Sequence, residues 1–240
     1  KELEAAIDVD FSNQMAWAYL GTCWRLLEDE REDWLHGYDR FIAPLTIEVP
    51  DEFQSMQDFC AAVELALMPL HGANHEPIDQ SLRSGTQTPG HLFGHPQGHI
   101  KLARDAITAA IRSYQASLPK DDKHPFLARS SSEFRYQGAW SVRLRSSGFH
   151  VNHMHQDGWL SSAFYVALPP SVGQDAADKS GYIQFGQPPL DLGLDLEPRR
   201  YIKPQVGSLA VFPSYTWHGT VPFEDESPRI TMAYDVVPQR

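Results

Sequence analysis

The sequence predicts an α+β fold, with helices first and an antiparallel β region after them. Apolar residues recur at three- and four-residue intervals up to about residue 117, and from Trp140 onward the period changes to two. With 240 residues, 42% of them hydrophobic and 11% aromatic, the chain can bury one substantial core and a smaller helical appendage. A formal net charge of -11 argues against nucleic acid as a partner, because binding a polyanion needs clustered Lys and Arg. No window approaches the roughly 20 apolar residues that cross a bilayer, so no membrane partner is expected. The acidic start Lys1-Glu2-Leu3-Glu4 lacks the regions of a signal peptide, and Cys23 and Cys60 are too few for a disulfide framework; a cytoplasmic location is expected.

Taken in order, residues 1–43 place Trp17, Leu20, Trp24 and Leu27 at helical spacing behind Ser12 and Asn13, either of which can cap a helix, and two helices fit. The stretch from Trp17 to Trp24 fits the tetratricopeptide signature W-x2-L-G-x2-Y, with Trp24 at the last position and Gly21 letting the paired helix approach. Residues 1–43 are therefore expected as a terminal tetratricopeptide-like hairpin. The competing reading is an ordinary amphipathic pair packed on the domain behind it. One repeat cannot cover its own face, and the chain begins in mid-pattern, so further repeats are expected upstream, with a peptide or protein partner bound through them.

Pro44 and Pro50 mark a connector, and residues 44–240 form the second expected domain. Phe53, Met56, Phe59, Cys60, Val63 and Leu67 predict a helix closed by Pro69, and Ile100, Ala103, Ile107, Ile111 and Tyr114 predict another over 100–117. Between them, Ser84 to Gly98 is expected as a long irregular loop whose His91, His95 and His99 lie near a substrate entrance. Strands are expected around Val142–Leu144 and at Phe164–Leu168, Gly181–Phe185, Leu209–Phe212 and Ile230–Tyr234, forming a sandwich or barrel.

Within the β region lie Gly148-Phe149-His150-Val151-Asn152-His153-Met154-His155-Gln156-Asp157-Gly158-Trp159 and, downstream, Tyr215-Thr216-Trp217-His218-Gly219. Strand alternation puts His153 and His155 on one face, joined by Asp157 if the strand continues that far, and His218 can close the site from a facing strand. Imidazole suits Fe(II), and three protein ligands leave positions for a bidentate co-substrate and O2. A metal-bound 2-oxo acid needs a cation for its far carboxylate. Arg229, 11 residues after His218, offers one and is expected on the next strand of a tight hairpin. Ser162 and Tyr165 are candidates for hydrogen bonds to the same carboxylate, and Asn152 for orienting a ligand. Trp159 and Trp217 either wall the cavity or fill the core.

Residues 140–144 through 158–166, with 207–219, 228–230 and the upstream run 80–88, resemble the 2-oxoglutarate-Fe(II) oxygenases often fused behind tetratricopeptide repeats. The resemblance spans about residues 78–237. It implies a double-stranded β-helix (jelly-roll) core from about residue 134, one Fe(II), 2-oxoglutarate as co-substrate with O2, and hydroxylation. Most members of the wider superfamily carry His-x-Asp at the first metal motif. This chain offers both His153-x-His155 and His155-x-Asp157, and the resemblance favours His153, His155 and His218. Two rival functions fit the same residues: a cupin-like three-His enzyme that ignores 2-oxoglutarate, and a metal-stabilised protein-binding module.

Overall fold

A computed structural model describes residues 1–72, 81–173 and 177–239, so Gln80 of the run 80–88 lies outside the described residues. Helices α1 (Glu2–Val9), α2 (Gln14–Leu26), α3 (Arg31–His36) and the short α4 (Tyr38–Phe41) come first, followed by strand β1 (Ala43–Thr46). Asn13 caps α2 by accepting a hydrogen bond from the Ala16 N–H at 2.9 Å. Ser55 does the same for α5 (Met56–Leu67), and α6 (Gly98–Ser117) carries the Ile100–Tyr114 stripe on its buried side. Among the described residues no helix is long and apolar enough to cross a membrane.

Strands β2 (Leu82–Gln87), β3 (Phe134–His150), β4 (Leu160–Ala167), β7 (Ser208–Pro213) and β9 (Arg229–Pro238) join β1 in an antiparallel six-stranded sheet of order β1-β7-β4-β9-β3-β2. Strands β5 (Ile183–Phe185), β6 (Arg200–Ile202) and β8 (His218–Thr220) form a second sheet of order β6-β5-β8. Period-two patterning divides the large sheet's faces. Ile230, Met232, Tyr234 and Val236 of β9, with Leu209 and Val211 of β7, share one core with the helices through Trp17, Phe59, Ile107 and Ile111. Ala210 and Phe212 face the other way and pack on Ile183, Phe185 and Ile202 of the small sheet. The result is three layers: helices, large sheet, small sheet.

The structure departs from two sequence expectations here. Ser84–Gly98 is not one loop: Leu82–Gln87 is an edge strand whose register slips between Arg83 and Gly85. Ser84 there adopts φ 51°, and a Cβ on Gly85 would sit 2.6 Å from the Arg143 carbonyl, so this bulge hides the alternation. Pro44 lies within β1 instead of a connector, which its place at the sheet edge permits.

The helices of residues 1–43 are tied to the β layers. The Trp217 indole N–H donates to Thr22 Oγ1 at 2.9 Å, the Tyr215 hydroxyl donates to the Leu35 carbonyl at 2.7 Å, and Arg25 donates to the Gly186 and Glu197 carbonyls at 2.8 and 2.6 Å. Helices α2 and α3 touch at Gly21, where a side chain would collide with the buried His36 ring. Gly21→Ala should therefore cost about 1–3 kcal/mol of stability, the usual penalty for overpacking, read as a lowered denaturant midpoint with an unchanged slope. An unchanged midpoint would contradict this packing.

Candidate metal centre

Beyond the end of β3 the chain leaves the large sheet and meets β8 of the small one. The His153 N–H donates to the His218 carbonyl and the His218 N–H to the His153 carbonyl, both at 2.9 Å. Two residues on, the His155 N–H is held by the Ser214 carbonyl at 3.0 Å. These bonds bring three imidazoles together: ring centroids are 4.2 Å apart for His153 and His218, and 5.1 Å for both His153–His155 and His155–His218.

The proton on each ring is set by what its Nδ1 meets. His153 Nδ1 lies 2.9 Å from the Val151 carbonyl and His218 Nδ1 lies 3.0 Å from the Thr216 carbonyl, while His155 Nδ1 lies 2.6 Å from Asp235 Oδ1. A carbonyl can only accept, so His153 and His218 carry their N–H on Nδ1, and the Asp235 carboxylate asks the same of His155. That leaves Nε2 of each ring able to accept: those of His153 and His155 lie 3.1 Å apart, the Ser81 hydroxyl lies 3.4 Å from His153 Nε2, and one ligand atom from each ring is within 4.8 Å of the others. Lone pairs at that spacing repel, and either a proton shared between His155 and His153 or a cation among the three rings removes the repulsion. Burial, reinforced by His155, holds His153 at a pKa of about 3; burial, with His153 and His155 beside it, holds His218 far below the ordinary imidazole range. Burial also depresses His155, but the charge and hydrogen bond of Asp235 outweigh it and raise the pKa.

The imidazoles line a cavity of about 450 Å³ between the sheets, with Trp140, Val142, Ile183, Phe212, Thr231 and Arg229 among its other walls. Arg229 is 2% exposed, its guanidinium carbon 5.1 Å from the centre of the Tyr165 ring. Arg229 Nε and the Tyr165 hydroxyl are both buried without a hydrogen-bond partner. Burial lowers the Arg229 pKa, which Tyr165 partly offsets. A buried guanidinium without a carboxylate partner, in the same cavity as three clustered imidazoles, fits a metal holding a small dianion.

Several expectations change in detail. His153 and His155 share a direction, but residues 151–159 are a loop with one bridge at His153 and not a strand. Asp157 is exposed and lines a separate surface cavity with Ser12, Ser131 and Arg135. His218 and Arg229 are not neighbours in a hairpin: β8 pairs with β5 in the small sheet and β9 with β3 and β4 in the large one, so they reach the cavity from opposite layers. Ser162 touches the cavity wall, yet its cross-strand partner is Tyr234 on the helix-covered face, whereas Tyr165 pairs with Thr231 on the cavity face. Asn152 contacts none of the three rings; it donates to Gln187 Oε1 and accepts from Gln184 Nε2, each at 2.9 Å. His91, His95 and His99 are absent from the cavity walls, and Phe93 between them packs on Tyr136 and Tyr234. Trp159 stacks on Phe126 and Trp217 meets α2, so both fill the core.

Sequence reading missed Asp235, Trp140 and His150. Trp140 stacks on His155 at 5.8 Å, and the Ser81 hydroxyl joins His150 Nδ1 at 3.0 Å behind His153. In the sequence they are one residue in a strand run, one aromatic among many, and a histidine without a paired spacing. The geometry separates the two metal-ligand sets that the motif offers: Asp157→Ala should keep iron within about twofold of wild type, and His218→Ala should lose at least about tenfold in affinity, both read by metal analysis after dialysis. Iron lost from Asp157→Ala would reverse the assignment.

Comparison with known proteins places this geometry. Residues 138–235 match the family described as "Putative 2OG-Fe(II) oxygenase", a stretch that contains all three imidazoles, Arg229 and Asp235. No curated protein sequence matches. Solved structures share the fold at low identity. A viral collagen prolyl hydroxylase from Paramecium bursaria Chlorella virus-1, in complex with 2OG, is 13% identical with a TM-score of 0.51, over 83% of this chain and 97% of its own. A Pseudomonas putida prolyl-4-hydroxylase is 15% identical with a TM-score of 0.51, over 88% and 97%. A prolyl hydroxylase from Trichoplax adhaerens, in complex with a hypoxia inducible factor oxygen degradation domain peptide, is 12% identical with a TM-score of 0.51, over 88% and 92%. The matched stretch, 98 of the 240 residues, is similar to that family and contains the three-imidazole group, and the solved structures share the fold around it.

Proposed function

We propose that His153, His155 and His218 hold the Fe(II), that Arg229 backed by Tyr165 takes the far carboxylate of 2-oxoglutarate, and that the enzyme hydroxylates a peptide-like substrate. The observation that carries this reading is the shared cavity: three clustered imidazoles and the buried Arg229 guanidinium, its Nε without a hydrogen-bond partner, open onto the same space. When bound, the iron and the keto acid supply O2 activation, with 2-oxoglutarate leaving as succinate and CO2. The protein's own part is positional. Nδ1 hydrogen bonds fix the three rings, Arg229 offers a bidentate fork to a carboxylate, and Trp140, Val142, Ile183 and Phe212 keep water from the cavity.

A second cavity of about 640 Å³ shares His150 and Thr220 with the first and is lined by Phe149, Val151, Pro189 and Leu190. Asn152, Gln184 and Gln187 meet there in an amide cluster. Apolar walls with amide donors and acceptors, and with Arg83 and Asp191 also in the lining, suit a peptide segment, and one fold neighbour holds a peptide. We read the two facing antiparallel sheets as a jelly roll, which the site between them supports. The α2–α3 pair closing at Gly21 supports a tetratricopeptide-like hairpin in residues 1–43, with a partner bound through repeats of that type, and two free thiols fit a cytoplasmic setting.

Anaerobic addition of Fe(II) and then 2-oxoglutarate should produce a weak visible charge-transfer band in the wild-type protein. Arg229→Ala should keep its iron and bind 2-oxoglutarate about 10- to 100-fold more weakly, the size expected for losing a charged hydrogen-bond pair. Iron-loaded wild-type protein that never develops the band would favour the cupin-like three-His alternative.

A further inference from the structure

Resting on the metal and co-substrate reading above, we propose that Asp235 supplies the negative charge that this metal centre lacks among its own ligands, acting through His155 as a positioning residue. Fe(II) oxygenase sites commonly draw a carboxylate into the ligand set, where it cancels part of the metal's charge. Here the described residues that line the cavity include no Asp or Glu, and Asp157 points into a different surface hollow. A divalent ion, the Arg229 guanidinium and a 2-oxoglutarate dianion leave one positive charge uncompensated in a cavity lined by buried and half-buried residues, where net charge is costly. Asp235 cancels it.

The carboxylate is built into the fold for this contact. Asp235 lies on β9 on the same face as Arg229, Thr231 and Ala233, and its side chain is 12% exposed. Its Oδ1 accepts from His155 Nδ1 at 2.6 Å and from Ser161 Oγ at 2.6 Å, and Ser161 Oγ lies 2.8 Å from Ser214 Oγ. The Ser214 carbonyl in turn holds the His155 backbone N–H at 3.0 Å. One cluster thus fixes both the backbone and the ring of His155. A carboxylate on Nδ1–H also makes the imidazole a stronger electron donor at Nε2. Of the three rings only His155 has such a partner; those of His153 and His218 meet neutral carbonyls.

Asp235→Asn separates charge from orientation, because the amide oxygen can still accept from His155 and Ser161. Co(II) titration followed by its visible absorption reads metal affinity, and 2-oxoglutarate titration of the Co(II)-saturated protein reads anion affinity. The expected result has opposite signs. Co(II) binds about 10- to 100-fold more weakly than to wild type, while 2-oxoglutarate binds the loaded variant as tightly as wild type or more tightly, since the cavity has become more positive. A merely structural role would weaken both together, and that outcome overturns the proposal, as does Co(II) affinity within twofold of wild type. If Asp235→Asn does not fold, Asp235→Ser, which keeps a hydroxyl acceptor and room for water, gives the same comparison. Wild-type protein that takes up no Co(II) would sink the metal-site reading itself, a result distinguishable from failure of the Asp235 role.

Discussion

Two reciprocal backbone hydrogen bonds, His153 to His218 and back, hold together a loop that has left one sheet and a strand that belongs to the other. Each bond contributes only about 1 kcal/mol net, but together they fix where two chain segments 65 residues apart in sequence must meet. The third imidazole follows from the same clamp, because the Ser214 carbonyl catches the His155 N–H on the approach to β8. The layers behind are what make the clamp rigid. One face of β9 and β7 is packed under the helices and the other faces the small sheet, so the cavity opens where the two sheets separate their side chains around polar groups.

Those polar groups are expensive. A buried polar atom without a partner costs about 1–3 kcal/mol, and an unpaired charge more. Arg229 Nε and the Tyr165 hydroxyl lack hydrogen-bond partners, and three imidazoles crowd within 4.8 Å of one another. Local rules of good packing are broken here and kept elsewhere: the helix-covered face carries Ile107, Phe164, Met232 and Val236 fully buried. Stability generated in that core holds open a site whose polar groups the proposed cation and dianion would complete. The depressed pKa values of His153 and His218 serve the same end, since a ring that stays neutral keeps its lone pair for metal at ordinary pH.

Legibility in the sequence tracks how locally each feature is encoded. Strands β4, β7 and β9 can be read because apolar runs bounded by turn residues carry their own signal. Strand β1 hides behind Pro44, tolerable only because the strand is at an edge, and β2 hides behind the Ser84–Gly85 bulge; both facts are tertiary. Strands β6 and β8 span three residues each, too short for any period to show. His153, His155 and His218 are legible from spacing, although strand alternation is the wrong element for His153 and His155, which point together from a bridged loop. Asp235 is illegible for a different reason: a lone acid in a strand run has no spacing to give it away, and its meaning exists only once β9 is laid beside β4 and the His155 loop.

The proposed function requires three rings to converge on one ion. Anomalous scattering from crystals of the Fe(II)- or Mn(II)-loaded protein tests that directly. A single peak at coordination distance, about 2.1 Å, from Nε2 of His153, His155 and His218 is the predicted result. A peak beside Asp157, or none between the two sheets, would contradict it.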